Sequence, residues 1–219
     1  VYRRHTNFSM ESIEQTVNGS VSFGNSVTST ISRNGDLVGR MYLEVDMTPS
    51  AVSVCTTALG AAGQKNNLGY ACIENVELEI GGQRIDRQSG EYMAAYDELT
   101  NRHYVPMLAN HTVSGSASLA SADVDEADLT YVPNAYQSMI GGYTHLTANA
   151  LTFNVPLQFW FCRNPGLALP LIALQYHEVK VKVSLRSTPF NAQTPTSPGL
   201  KLWCDYIYLD TDERRRFAQ

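Results

Sequence analysis

A period of two runs through this chain and limits what it can fold into. From Leu151 to Cys162 the odd positions are all apolar: Leu151, Phe153, Val155, Leu157, Phe159 and Phe161. Thr152, Asn154, Pro156 and Gln158 hold the even positions before Trp160. Side chains on a strand alternate between faces, so this run predicts one strand with one face on a core. Pro156 lacks an N–H, which puts the strand at an edge or a bend. Val179, Val181, Val183 and Leu185 alternate with Glu178, Lys180, Lys182 and Ser184, giving a second strand. Leu37–Asp46 gives a third, with Met41, Leu43 and Val45 inward and Arg40, Glu44 and Asp46 outward. Val76, Leu78 and Ile80 alternate with Glu77 and Glu79 up to Gly81-Gly82. Two glycines tolerate the positive φ of a tight hairpin, so Gln83–Asp86 is read as a short return strand.

Leu202–Leu209 is different, because both parities carry apolar or aromatic residues. Trp203, Ile207 and Leu209 are read as facing the core. Leu202, Cys204, Tyr206 and Tyr208 then form a second face that needs cover from outside its own sandwich, and they are the candidate interface residues. Helical signal is sparse. Ser89–Asn101 is the best segment, with Ser89 as cap, Glu91 in the first turn and a stripe of Tyr92, Ala95, Tyr96 and Leu99. Leu167–Leu174 is read as one short turn followed by an extended exit at Pro170. Polar stretches at Ser50–Leu68, Val113–Asp128 and Thr188–Gly199 read as loops. Helices between consecutive strands are missing, which excludes parallel βαβ units. An antiparallel sandwich of jelly-roll or immunoglobulin type remains, and 219 residues favour the jelly roll, since immunoglobulin domains run to roughly 100.

Composition narrows the function. Charged residues make up 17%, against roughly 25% in an ordinary soluble domain, so part of the surface is expected to be covered. A net charge of −5 argues against nucleic acid as a direct partner. No apolar run reaches membrane-spanning length. The chain opens on Val1 without a leader and is read as trimmed or as part of something longer. The motifs GxSxG, HExxH, GxGxxG and the Walker loop are absent, and His5, His103, His111, His145 and His177 are scattered singly. No catalytic, cofactor or metal residues are therefore assigned. Asp123, Asp125, Glu126 and Asp128 fail the calcium-loop pattern and read as a solvated loop. Arg214-Arg215-Arg216 is read as local ion pairing with Asp210, Asp212 and Glu213, or as an interface. Cys55, Cys72, Cys162 and Cys204 lack metal spacing and are expected to be reduced thiols, three of them in apolar runs. Asn7, Asn18 and Asn110 open N-glycosylation sequons, which matter only in a glycosylating compartment and are read as chance.

Five blocks together carry a resemblance: VYRRHTNFSMESIEQTVNGS (Val1–Ser20), FGNSVTSTISRNGDLVGRMYLEVDM (Phe23–Met47), IENVELEIGGQRIDRQSGEYM (Ile73–Met93), FWFCRNPGLALPLIALQYHEVKVKV (Phe159–Val183) and LWCDYIYLDTDERRRFAQ (Leu202–Gln219). They resemble the N-terminal half of the major capsid proteins of nucleocytoplasmic large DNA viruses, of iridovirus, phycodnavirus and giant-virus type. The resemblance implies an eight-stranded antiparallel jelly roll over residues 1–219, the first barrel of a double jelly-roll protein whose second barrel is absent from this chain. It implies a structural role without enzymatic activity. Three copies would form a pseudo-hexagonal capsomer contacting neighbouring capsomers and minor capsid proteins, within virions assembled in the host cytoplasm. The loops Ser50–Leu68, Val113–Thr147 and Thr188–Gly199 are expected to supply the assembly or outer surface. The other reading is a carbohydrate-binding jelly roll at a virion or cell surface, for which Tyr131, Tyr136 and Tyr143 could serve.

Overall fold

The computed structural model describes residues 7–48, 68–100, 139–140, 151–187 and 196–218. Among them lie ten strands: β1 (Phe8–Gln15), β2 (Val17–Asn18), β3 (Ser26–Thr30), β4 (Leu37–Thr48), β5 (Ile73–Ile80), β6 (Gln83–Ser89), β7 (Leu151–Pro156), β8 (Leu169–Pro170), β9 (Val179–Leu185) and β10 (Thr196–Leu209). The short helices are α1 (Leu68–Cys72), α2 (Gly90–Thr100), α3 (Trp160–Arg163) and α4 (Thr211–Ala218).

One sheet runs β1-β10-β4-β7, with β8 also on β4, and the other runs β2-β3-β9-β5-β6. Eight of the strands are five residues or longer, and these pair as β1 with β10, β3 with β9, β4 with β7 and β5 with β6, all antiparallel. First pairs with last, second with second-last, and so inward. A single long hairpin folded over on itself gives this order, which is that of a jelly roll.

The inward side chains of both sheets fill one core, including Val38, Met41, Leu43, Val45, Val76, Leu78, Phe153, Val155, Val181 and Val183. The alternations read for β4, β5 and β9 hold. Gly81 and Gly82 make the β5–β6 hairpin with φ of +61° and +81°, and the return strand extends to Ser89, three residues further than expected. Among the described residues β7 is the last strand of its sheet, one of the two positions that Pro156 allows.

Three local readings change. The strand at Leu151 stops at Pro156, and Trp160–Arg163 is a helical turn. Phe153, Val155, Leu157, Phe159 and Phe161 still share one core, each at most 2% exposed, because the turn returns Phe161 to the side where Phe159 lies. The Phe159 and Phe161 rings stack with centroids 5.7 Å apart. In α2, Ser89 Oγ accepts a bond from the Tyr92 N–H at 3.1 Å, as a cap should. The expected stripe, however, faces outward: Tyr92 and Leu99 are exposed, and the helix buries Gly90, Met93 and Asp97. Gly90 sets that orientation. A Cβ there would stand 2.3 Å from the carbonyl oxygens of Tyr70 and Ile73, so only glycine lets the helix start so close to β5. In the Leu167–Leu174 region a 3-10 turn at Pro165–Leu167 comes first and the chain then pairs briefly with β4, but the extended exit expected at Pro170 is replaced by consecutive turns from Leu171 onward.

Candidate interaction surface

β10 is central in its sheet, flanked by β1 and β4, so its parity decides which residues reach the core. Leu202 lies opposite Leu43 and Cys204 opposite Met41. Directly opposed residues point the same way, and Met41 and Leu43 are core. Leu202, Cys204 and Tyr206 are accordingly fully buried inside their own barrel. The two faces assigned to this strand from sequence are thus exchanged, and Leu202, Cys204 and Tyr206 are ordinary core. Tyr208, at the strand's end, packs partly against that core and donates to Glu11 Oε2 at 3.2 Å.

The Tyr206 ring is buried and its hydroxyl is satisfied. It donates to the Ser32 carbonyl at 2.6 Å and lies 3.1 Å from Gln15 Oε1. Gln15 Oε1 also accepts from the Ser32 N–H and Oγ. Burial pushes the Tyr206 hydroxyl up to about 12.

The outward face of this sheet divides into two halves. At one end Lys201 Nζ meets Glu44 Oε1 at 2.7 Å, and Trp203 Nε1 donates to Glu44 Oε2 at 2.6 Å. Thr152 Oγ1 donates to Asp46 Oδ1 at 2.6 Å. The bond from Lys201, then that from Trp203, holds the Glu44 carboxyl below the usual carboxylate range. At the other end Phe8 lies opposite Leu209, Met10 opposite Ile207, and Ile207 opposite Leu37. Phe8 is 64% and Met10 57% exposed; Ile207 and Leu209 are half-buried. Leu37 is buried but stands outside the main core. Between Met41 and Val38, β4 carries one residue more than β10 does between Cys204 and Tyr206. That bulge brings Gly39 under Ile207, where a Cβ would meet Ile207 Cδ1 at 3.8 Å.

The other sheet's outward face is a charge ladder. Glu77 lies opposite Lys182 and Arg87, and Glu79 opposite Lys180 and Arg84. Arg84 and Arg87 both pair with Glu77, at 3.2 and 3.3 Å.

The chain leaves β10 through a clamp. Asp36 Oδ2 accepts from the Leu209 N–H at 2.8 Å and from Arg214 Nε at 2.9 Å. Arg216 pairs with Glu213 within α4. Only Arg216 thus makes the local ion pair read from the sequence; Arg214 reaches Asp36, 178 positions away, instead.

Cys72, Cys162 and Cys204 are free thiols in the core; Cys55 lies outside the described residues. Burial pushes Cys72 and Cys162 up to about 12 and Cys204 higher still, so all three stay protonated and unreactive. His177 sits in the bend before β9, against Gly81. Among the described residues no His, Cys, Asp and Glu group could hold a metal ion, and no helix is long and apolar enough to cross a membrane. Asn7 and Asn18 are exposed. Asn110, the acidic cluster at Asp123–Asp128, Tyr131, Tyr136, Tyr143 and most of the three long loops lie outside the described residues. Sequence reasoning missed Phe8, Met10 and the Asp36 clamp. The Phe8/Met10 alternation was present as a signal, but it is only two residues long.

Residues 1–210 match the family model described as major capsid protein N-terminus. The chain is 46% identical over its whole length to the major capsid protein of Pyramimonas orientalis virus, covering 49% of that protein. It is 39% identical to that of Paramecium bursaria Chlorella virus 1, covering 44%. A quasi-atomic model of the PBCV-1 virus capsid superimposes on the entire chain with a TM-score of 0.71 and 37% identity, over 46% of the capsid chain. The chain thus spans about half the length of the curated relatives it matches. By whole-length similarity in both sequence and fold, it belongs to the family of viral major capsid proteins, and it matches that family's N-terminal region.

Proposed function

We propose that this chain forms a wall-building barrel of an icosahedral virus capsid, with no enzymatic role. The observation that carries this is the match of the entire chain, at 37% identity, to a solved capsid. The architecture supports it. The described barrel has inert buried thiols, no metal-ligating cluster and one outward sheet face of which half is apolar. In a polypeptide of the relatives' length, this barrel is followed by a second, and three copies close into a pseudo-hexagonal capsomer. In such a closed ring each contact joins two different patches. The capsomer's partners are neighbouring capsomers and minor capsid proteins, the assembly compartment is the host cytoplasm, and the destination is the virion. The long stretches at 50–67, 113–138, 141–147 and 188–195 supply its contact or outer surfaces; Leu68, Ile140 and Thr196–Gly199, read with them as loop, lie in α1, in the core and in β10.

The test is the mass and outline of the polypeptide made at the relatives' length. Mass photometry should find a species of three chains, and negative-stain images should show a six-lobed tile. A monomer that persists at concentrations used for capsid reassembly overturns the trimer.

A further inference from the structure

We infer that the apolar half of the β1-β10-β4 outer face, made by Phe8, Met10, Leu37, Ile207 and Leu209, is the seat of the polypeptide that follows this region in chains of the relatives' length. This rests on the capsid reading above and specifies which face the following half covers. It replaces the face made by Leu202, Cys204 and Tyr206, which the core occupies.

Three observations lead here. The first is chemical. Phe8 and Met10 are more than half exposed and pair across the strands with half-buried Leu209 and Ile207, making one continuous apolar surface. Contiguous apolar patches are uncommon on a soluble surface unless something binds there. The opposite sheet of the same barrel shows how this chain builds a face for water: glutamate opposite lysine and arginine.

The second is the exit of the chain. Ile207 and Leu209 belong to the face, and the backbone runs from Leu209 through Asp210 directly into α4. Asp36 fixes that exit by accepting from both the Leu209 N–H and Arg214. Asp36 is 9% exposed, so the accepting carboxylate is largely shielded from water, although Arg214 is about half exposed. The first turn of α4 is therefore fixed beside the apolar patch, and whatever follows this eight-residue helix starts about 12 Å further along.

The third is length. The matched family region is N-terminal, and the matched relatives are about twice as long as this chain. A segment tethered at α4 meets the patch at a high effective concentration, an advantage that a second, untethered copy lacks. The polar half of the same face, with Glu44 already satisfied by Lys201 and Trp203, then lies at the rim of that contact.

The experiment is hydroxyl-radical footprinting of wild-type protein, in the 219-residue chain and in a chain of the relatives' length, each across a range of concentrations. Met10 oxidation is expected to slow several-fold in the longer chain, and equally at concentrations where mass photometry finds monomers. Unchanged Met10 reactivity in the longer chain overturns the inference. So does protection that appears only with trimers, which would place a neighbouring subunit on the patch, or protection of the short chain that grows with its concentration, which would place a second copy there. Trimers with a reactive Met10 sink this inference alone; a protected Met10 without trimers sinks the capsomer reading alone. A second readout is the variant Met10→Lys, whose side chain faces solvent in this barrel. It should leave the melting temperature of the short chain unchanged and lower that of the long one; equal effects in both would also overturn the assignment.

Discussion

On the outside of the β3-β9-β5-β6 sheet, Glu77 stands opposite Lys182 and Glu79 opposite Lys180; on the outside of the β1-β10-β4-β7 sheet, Phe8 stands opposite Leu209 and Met10 opposite Ile207. Both sheets send the same kind of residue inward, since Val181 and Val183 from one and Leu43 and Val45 from the other share a single core. The need to fold therefore does not distinguish the sheets. Only the outward residues do, and they record what each face meets. A ladder of paired charges is costly to strip of water, so the first face stays wet. An apolar pair gains from being covered, by roughly 25 cal/mol for each Å² removed from water, so the second face favours a partner.

This comparison assumes that the two sheets form one cooperative body, and the largest predicted effect tests that. Phe159 is 1% exposed and stacks on Phe161 in the shared core. Phe159→Ala should cost about 3–5 kcal/mol, with one urea transition seen alike by tryptophan fluorescence and far-UV circular dichroism. A loss below about 1 kcal/mol, or two separate transitions, would mean that the sheets are independent and the comparison of their outer faces is not like for like.

Next in size is a pair of variants that fixes which side of β10 is which. Tyr206→Phe removes a buried hydroxyl and leaves the Ser32 carbonyl without its short bond, while Gln15 keeps its two bonds from Ser32, so about 1–3 kcal/mol should be lost. Tyr208→Phe removes only an exposed bond to Glu11 and should stay within about 0.5 kcal/mol of wild type. Chemical unfolding of the two variants side by side decides it. A reversed order would restore the opposite parity and remove Ile207 and Leu209 from the outer face.

β10 also shows where the sequence stops being informative. For β4, β5 and β9 one parity is polar, so the alternation alone tells which side is buried, and those readings hold. Between Leu202 and Leu209 β10 carries apolar or aromatic residues on both parities, and Asp205 alone marks the odd one as outward, too little to outweigh Trp203, Ile207 and Leu209 beside it. The buried side is decided by its register against Met41 and Leu43, a contact between residues some 160 positions apart that one strand's pattern does not contain. The tyrosine stripe on α2 failed for a related reason. Tyr92, Ala95, Tyr96 and Leu99 do share a helix face, but Gly90 presses against the carbonyls of Tyr70 and Ile73 and turns that face outward. Arg163 packs on part of it, with its guanidinium 4.2 Å from the centre of the Tyr96 ring and a bond to the Tyr92 hydroxyl. Past Pro156, alternation continued in the sequence after the strand had ended, since a helical turn and a strand can both return every second residue to a core over so short a span. The family blocks were legible throughout, whereas the Asp36 clamp joins residues 178 positions apart and has no local signature.

A smaller effect separates the two halves of the apolar sheet's outer face. Lys201 and Trp203 hold Glu44 below its usual range, so its folded-state pKa lies beneath the unfolded one. A group lowered in this way stabilises the fold fully above its unfolded pKa, and the contribution is lost as pH falls through the folded value. Wild type should therefore lose stability on acidification more steeply than Glu44→Gln, with the difference confined to the carboxylate range. Parallel acid limbs in urea titrations of the two proteins would show that the polar half is not held by this carboxylate.

The smallest effect is expected on the charge ladder. Arg87 is 54% exposed along its side chain and lies 3.3 Å from Glu77, which is itself only 13% exposed. Arg84 holds the same carboxylate oxygen at 3.2 Å, so Arg87→Ala leaves Glu77 paired. An exposed ion pair of this kind typically contributes about 0.2–1 kcal/mol, because water screens the charges and two long side chains lose freedom. Arg87→Ala should fall in that range and shrink further in molar salt, where the screening length drops to about 3 Å. If instead the loss exceeded that range and were indifferent to salt, the Glu77 side of the barrel would be structurally engaged in its own right. The charged sheet could then no longer serve as the wet reference against which the apolar face is read.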